Sequence, residues 1–166
     1  TPANIGSLNN SYLNISAPLP ITKWWNGYAN ITGFFNHYKG VLPNGLLNEN
    51  TFGLNYYIQQ NFTLGKGWST QVSSWFNAAT KEAIFKSKSL GSLDFGVRKN
   101  ILKAKGSLRL SIADVFNTQR WKQTVQFANM DFSYRRKWES RGVRLQFSWS
   151  FGKTSFKERE RETNED

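Results

Sequence analysis

Apolar and polar residues alternate one for one over most of this chain, most regularly near its end. There Val143, Leu145, Phe147, Trp149 and Phe151 interleave with Arg144, Gln146, Ser148 and Ser150. A period of two is the mark of a β-strand with one apolar and one polar face. Residues 51–64 place Phe52, Leu54, Tyr56, Ile58, Phe62 and Leu64 on one side, and only Gln60 breaks the rule. Residues 11–19 give Leu13, Ile15, Ala17 and Leu19 against Tyr12, Asn14 and Ser16, and residues 25–38 give Trp25, Ala29, Ile31 and Phe35 against Asn26, Asn30 and Thr32. Weaker alternation follows at Trp68, Val72 and Phe76, then at Leu93, Phe95 and Val97, and at Leu108, Leu110 and Ile112. The pattern predicts seven strands, starting near Ser11, Trp25, Thr51, Trp68, Leu90, Gly106 and Phe132.

These segments run about 9 to 14 residues, close to the ~9 to 11 that a tilted strand needs to cross a bilayer and longer than the ~5 or 6 usual in soluble sheets. Short connections (residues 18–23, 65–67 and 102–105) alternate with long ones (39–50, 81–89 and roughly 119–131), as the two rims of an outer-membrane barrel do. Aromatics gather at the strand ends: Trp24, Trp25, Trp68, Trp149 and Phe151 by the short turns, and Phe35, Tyr38, Phe52, Phe76 and Trp121 by the long loops. Two interfacial girdles are expected from this. A soluble sandwich or lipocalin-type barrel alternates in the same way. Strand length, loop asymmetry and the scarcity of charge on the apolar side favour the membrane. Lys99 and Asp114 share the parity of that side, each near a strand end where charge facing lipid costs least.

An odd strand count is awkward, because bacterial single-chain barrels are even and an open edge in hydrocarbon leaves backbone groups unpaired. The expectation is an all-β, antiparallel transmembrane β-barrel that is partial, its seven strands being the last of a larger set whose earlier members precede Thr1. The start at Thr-Pro, with no leader, fits that expectation. Counting residues 121–127 as an eighth strand would close a small barrel instead, but that stretch has little apolar alternation.

Composition narrows the function. With 16% aromatic residues the chain is not disordered, and no apolar run approaches the ~18 residues of a membrane helix. The absence of Cys excludes disulfides, zinc ribbons and thiol nucleophiles, and a lone His37 builds no metal site; neither a cofactor nor a metal is expected. The formal charge of +11 raises nucleic acid as a partner. Its spread from Lys23 to Arg161, without any binding motif, argues against one. His37 lacks a Ser-His-Asp arrangement, and Glu49, Glu82, Asp131 and Glu139 fall in predicted loops or at loop edges, so no catalytic set is expected.

Three stretches carry a resemblance. Gly96-Val-Arg-Lys, the run from Gly106 through Asp114-Val-Phe116-Asn117, and the run from Trp138 through Trp149-Ser-Phe151-Gly152-Lys153 resemble the C-terminal strands of TonB-dependent receptors. The likeness is greatest to the outer-membrane β-barrel family common in Bacteroidetes. In that family the aspartate-aliphatic-Phe-Asn stretch ends the penultimate strand, a long extracellular hairpin follows, and the last strand closes on an aromatic, Phe and Gly. The resemblance implies residues 1–153 as a C-terminal barrel segment, followed by a charged periplasmic tail at 154–166. It also implies outer-membrane lipid, upstream strands, a plug domain and an energy-coupling protein as partners in ligand uptake. A small self-contained barrel, acting as an adhesin or structural protein, is the alternative. On either reading Val143, Leu145, Phe147, Trp149 and Phe151 face lipid.

One constellation stands out. If Val97 pairs with Leu110 and Phe95 with Ile112, Arg98 must face Arg109 on the polar side, an unfavourable opposition. Asp94 lies one pleat away and Arg144 on the next strand, which predicts a luminal cluster of three arginines and one carboxylate. Acidic groups from a plug, or from tail residues such as Glu158, are candidates to complete it.

Overall fold

The computed structural model describes residues 6–42, 45–82, 84–127 and 130–151. Its eleven strands among these are β1 (Gly6–Pro20), β2 (Trp25–Leu42), β3 (Gly45–Gly65), β4 (Trp68–Asn77), β5 (Thr80–Glu82), β6 (Phe85–Ser87), β7 (Leu90–Ile101), β8 (Gly106–Ala113), β9 (Arg120–Phe127), β10 (Met130–Lys137) and β11 (Gly142–Trp149). They form two sheets. Seven long strands make an antiparallel meander in the order β1-β2-β3-β4-β7-β8-β11, and the short ones make a second sheet in the order β10-β9-β6-β5.

Registry explains why the alternation reads so cleanly. Direct partners place Ile15, Ile31 and Tyr56 in one row, and Val97, Leu110 and Leu145 in another, so the apolar positions of all seven strands share one face. A slip of one residue in any pair would reverse that strand's faces, so the shared apolar face holds the register. This face is not packed against a protein core. Leu145, Phe147 and Trp149 are 66%, 55% and 51% exposed, and Val143 and Phe151 are also exposed. Among the described residues Val125 is the only buried apolar side chain. The described residues thus enclose no sealed interior of the kind a soluble sandwich has and keep their greasy stripe on an outer surface.

Several expected boundaries move. Of the long loop expected at 39–50, residues 39–42 and 45–50 are instead strand: β2 and β3 pair continuously from Trp25↔Phe62 to Leu42↔Gly45. At ~3.3 Å per residue the 18 residues of β2 extend ~60 Å, about twice the ~30 Å hydrocarbon core, so this hairpin stands well clear of any membrane even when tilted. The final long strand starts at Gly142 rather than near Phe132, because Phe132 belongs to β10, which among the described residues pairs only with β9. Residues 121–127 do form a strand, but in the second sheet, so they add no eighth member to the first. Trp121 leaves the expected upper girdle with them, and Tyr38 leaves it because its position in β2 points to the polar face. Residues 152–166, including Gly152, Lys153 and the charged tail, lie outside the described residues.

The lower girdle is where it was expected. Trp25 stacks on Phe62 at 5.6 Å between centroids with Trp24 beside both, and Trp149 meets Phe151 at 4.4 Å, all next to short turns. Lys99, the cation on the apolar side, bends to this rim. Its Nζ donates to the Lys66 carbonyl at 2.7 Å and sits 4.7 Å from the Trp68 ring centre, a snorkelling posture. The turn that receives it, Gly65-Lys66-Gly67, has positive φ at all three residues. Gln60, the lone polar intruder, is explained by its neighbour: its Oε1 accepts the Trp25 indole N–H at 2.7 Å. Directly opposite Gln60 stands Gly27, where a Cβ would fall 2.7 Å from the amide.

Candidate functional site

The polar face is a hydrogen-bonded wall. Asn14 and Asn30 donate to each other across β1 and β2 at 3.3 and 3.2 Å, and Asn14 also donates to Thr32 at 2.6 Å. Asn61 donates to Asn26, Gln59 to Asn61, and Tyr57 to Gln59, all within 3.2 Å. A face built of amides and hydroxyls that satisfy one another stays hydrated without unpaired buried groups. Among the described residues no buried side-chain polar atom lacks a partner.

The expected charge cluster lies on this wall in the expected register. Phe95 pairs with Ile112, Val97 with Leu110, and Arg98 opposes Arg109. The opposition is relieved by a diagonal reach, because Arg109 Nη2 donates to Gln71 Oε1 at 2.7 Å, two strands away. Gly96 lies between them in the ladder, and a Cβ there would sit 3.7 Å from the guanidinium, so any long side chain at that position would obstruct the crossing. Arg144 pairs with Ser111 on the next strand. Together with Asp94, Glu139 and Gln71, both Arg109 and Arg144 line a cavity of about 450 Å³. Arg98 lines an adjoining cavity with Arg109 and Asn61. Asp94 does not neutralise the arginines. Its Oδ1 accepts from Ser92 Oγ at 3.2 Å and from the Asp114 backbone N–H at 2.8 Å.

Asp114 departs most from expectation. Instead of presenting its carboxylate on the apolar side, the chain leaves β8 there with φ of 45°, and the side chain is fully buried. Aspartate and asparagine tolerate this left-handed conformation best among residues with a side chain, and Asn117 (φ 55°) repeats it three residues on. One carboxylate oxygen accepts from the Thr118 N–H at 2.8 Å and the Thr118 hydroxyl at 2.9 Å. The other accepts from the Gln119 N–H at 3.2 Å and from the Ser140 hydroxyl. Burial alone would raise the carboxyl pKa, but these donors, Ser140 foremost, hold it down at about 2. Val115 N–H reaches the Leu93 carbonyl at 2.8 Å, and the Gly91 carbonyl, 2.8 Å from the Thr118 hydroxyl oxygen, competes with Asp114 for its one proton. The motif residues therefore form a knot that ties both connections of the second sheet to the top of β7. Phe116, by contrast, is exposed. Sequence reasoning placed Asp114 and Asn117 in a motif but missed the knot, whose one legible sign is the Asp-x-x-Asn-Thr spacing of a side-chain-closed turn.

His37 hydrogen-bonds Asn48 at 2.8 Å on the protruding hairpin, with no nucleophile or carboxylate in contact among the described residues. Groups of three or more potential metal ligands are absent among the described residues.

An open antiparallel meander with one exposed apolar face and one hydrated wall, rimmed by tryptophans, is the wall of a membrane β-barrel. Residues 1–149 match the outer membrane protein beta-barrel family, and the chain belongs to it, which places it in the bacterial outer membrane. No curated protein and no solved structure matches the chain.

Proposed function

We propose that the seven-stranded sheet is the carboxyl-terminal wall of a TonB-dependent receptor, a larger barrel that takes up a ligand with energy supplied from elsewhere. The observation that carries this reading is the direction of the edges. Seven antiparallel strands in sequence make β1 and β11 run the same way, and among the described residues neither pairs on its outer side. Antiparallel closure therefore needs an odd number of further strands. Each edge left open in hydrocarbon would cost several kcal/mol per unpaired backbone group. A self-contained eight-stranded barrel is disfavoured because the extra hairpin pairs with β6 instead of bridging β11 to β1.

On this reading the apolar face bearing Val143, Leu145, Phe147, Trp149 and Phe151 meets lipid, and the wall bearing Asp94, Arg98, Arg109 and Arg144 lines the lumen. Strands and a plug upstream of Thr1 complete the vessel, and an energy-coupling protein acts on it from the periplasm. The test is binding between the full-length protein and the periplasmic domain of that energy-coupling protein, measured by calorimetry in detergent. Saturable 1:1 binding is expected; no binding at any concentration tested would leave the adhesin or structural reading in its place.

A further inference from the structure

The second sheet gathers most of its cations on one face. Direct partners Lys81↔Lys86, Lys122↔Arg135 and Arg120↔Lys137 set six cations on one side, with Thr124 and Ser133 between them and Asp131 the one acid of that face. The other side carries Phe85, Val125, Phe132 and Trp121, with Arg136 opposite Trp121 and Glu82 opposite Phe85. Three like-charged pairs directly opposed are unfavourable, and a sheet shaped for stability alone would alternate signs. Internal compensation is slight: the one ion pair among the described residues is Lys81–Glu49, at 3.5 Å. Of the six, Lys122 is half-buried and the others are exposed.

The attachment of this sheet fixes what it overlooks. Thr51 Oγ1 donates to the Lys81 carbonyl at 3.0 Å, Ala78 N–H donates to Asn55 Oδ1 at 3.0 Å, and Lys81 pairs with Glu49. Glu49, Thr51 and Asn55 all have the parity of the polar wall. Strand β5, with Lys81, is thus attached on the hydrated side of the meander, not its apolar side, and the arginines Arg98, Arg109 and Arg144 belong to that same wall.

We infer that the basic face of the second sheet and the arginine wall form one binding route for a soluble ligand carrying two or more phosphate or carboxylate groups. Directly opposed residues on adjacent strands have Cα atoms ~5 Å apart, so each opposed pair of cations is within reach of neighbouring acidic groups on one ligand. A single-sign field of this kind concentrates anions at a mouth and speeds their capture. This inference names the ligand class for the uptake reading and rests on it.

The experiment is calorimetric titration of the full-length protein in detergent with inorganic tripolyphosphate. Binding is expected to weaken by ~tenfold or more between low and 0.3 M salt, as screening requires. It is also expected to weaken at least ~tenfold in the triple variant Lys122→Gln, Arg135→Gln, Lys137→Gln, because each neutralised contact removes part of a charge-driven affinity. The triple variant removes like-charge oppositions, so its fold should survive. A second variant, Lys81→Gln with Lys86→Gln, tests the same face from the other two strands, and exchange of Lys for Arg at 122 and 137 should retain binding. Undiminished binding in both neutralised variants would overturn the inference, as would binding confined to vesicles containing lipopolysaccharide, which would make the partner a membrane surface. Failure of the coupling protein to bind would sink the uptake reading without touching this titration.

Discussion

Gln60 shows how a single exception in a pattern can be a solution. An indole N–H in an apolar band needs an acceptor, and Gln60 supplies one across the strand pair while Gly27 leaves room for it. Removing one partner strands the other, whereas removing both leaves an apolar surface. Trp25→Phe should therefore lower stability by about 1–3 kcal/mol, and Trp25→Phe with Gln60→Leu should recover most of the loss. Urea unfolding in lipid vesicles measures both, and a double variant as weak as the single would disprove the pairing. Asp114 makes the second residue-scale case. Its folded pKa is depressed from 3.8 to about 2, so its contribution is fully present above 3.8 and lost as pH falls through about 2. Asp114→Ala should cost about 2 kcal/mol or more near neutral pH by orphaning its donors, and the difference from wild type should shrink between pH 4 and pH 2. A gap independent of pH would contradict the charged, hydrogen-bonded carboxylate.

At the scale of elements, the hairpin of β7 and β8 was legible to the residue. Its pairing follows from the alternation of Phe95 and Val97 with Leu110 and Ile112 and from the short turn between them. The opposed arginines came with that register, but their accommodation did not, because Gln71 lies two strands away and a sequence does not reveal which diagonals a long side chain can reach. Arg98→Glu should convert the repulsion into attraction and raise unfolding stability by about 0.5 kcal/mol, with the gain declining at high salt. Chemical denaturation at two ionic strengths checks it. The hairpin of β2 and β3 was less legible. Beyond Tyr38 the one-for-one alternation lapses and Pro43-Asn44-Gly45 is a turn signal, so the stretch reads as loop although the pairing of β2 with β3 runs on to Leu42↔Gly45.

For the whole molecule, the two faces of the large sheet make a direct prediction. These 166 residues contain no cysteine, so single cysteines introduced at positions 144 to 147, with any cysteine elsewhere in the full-length protein replaced by serine, report on their surroundings without background. In the full-length protein in vesicles, a membrane-impermeant maleimide added from both sides should label the variants at Arg144 and Gln146 and spare those at Leu145 and Phe147. Labelling that ignores parity would remove the lipid-facing assignment. The electrostatics also belong to this scale. A charge of +11 scattered along the sequence gave no motif, yet folding gathers six of the cations onto one face of the second sheet and three arginines onto the wall beside it.

The sequence by itself determined which residues share a face, how many long strands form the meander and where the turns after β1, β3 and β7 fall, because side-chain direction in a strand depends only on odd or even position. It did not determine how the long connections fold. Residues 80–87 and 120–137 pair with each other across some forty positions, and such pairing depends on which loops the large sheet brings side by side. The burial of Asp114 and the gathering of positive charge arose there too, from contacts between segments that no local pattern links.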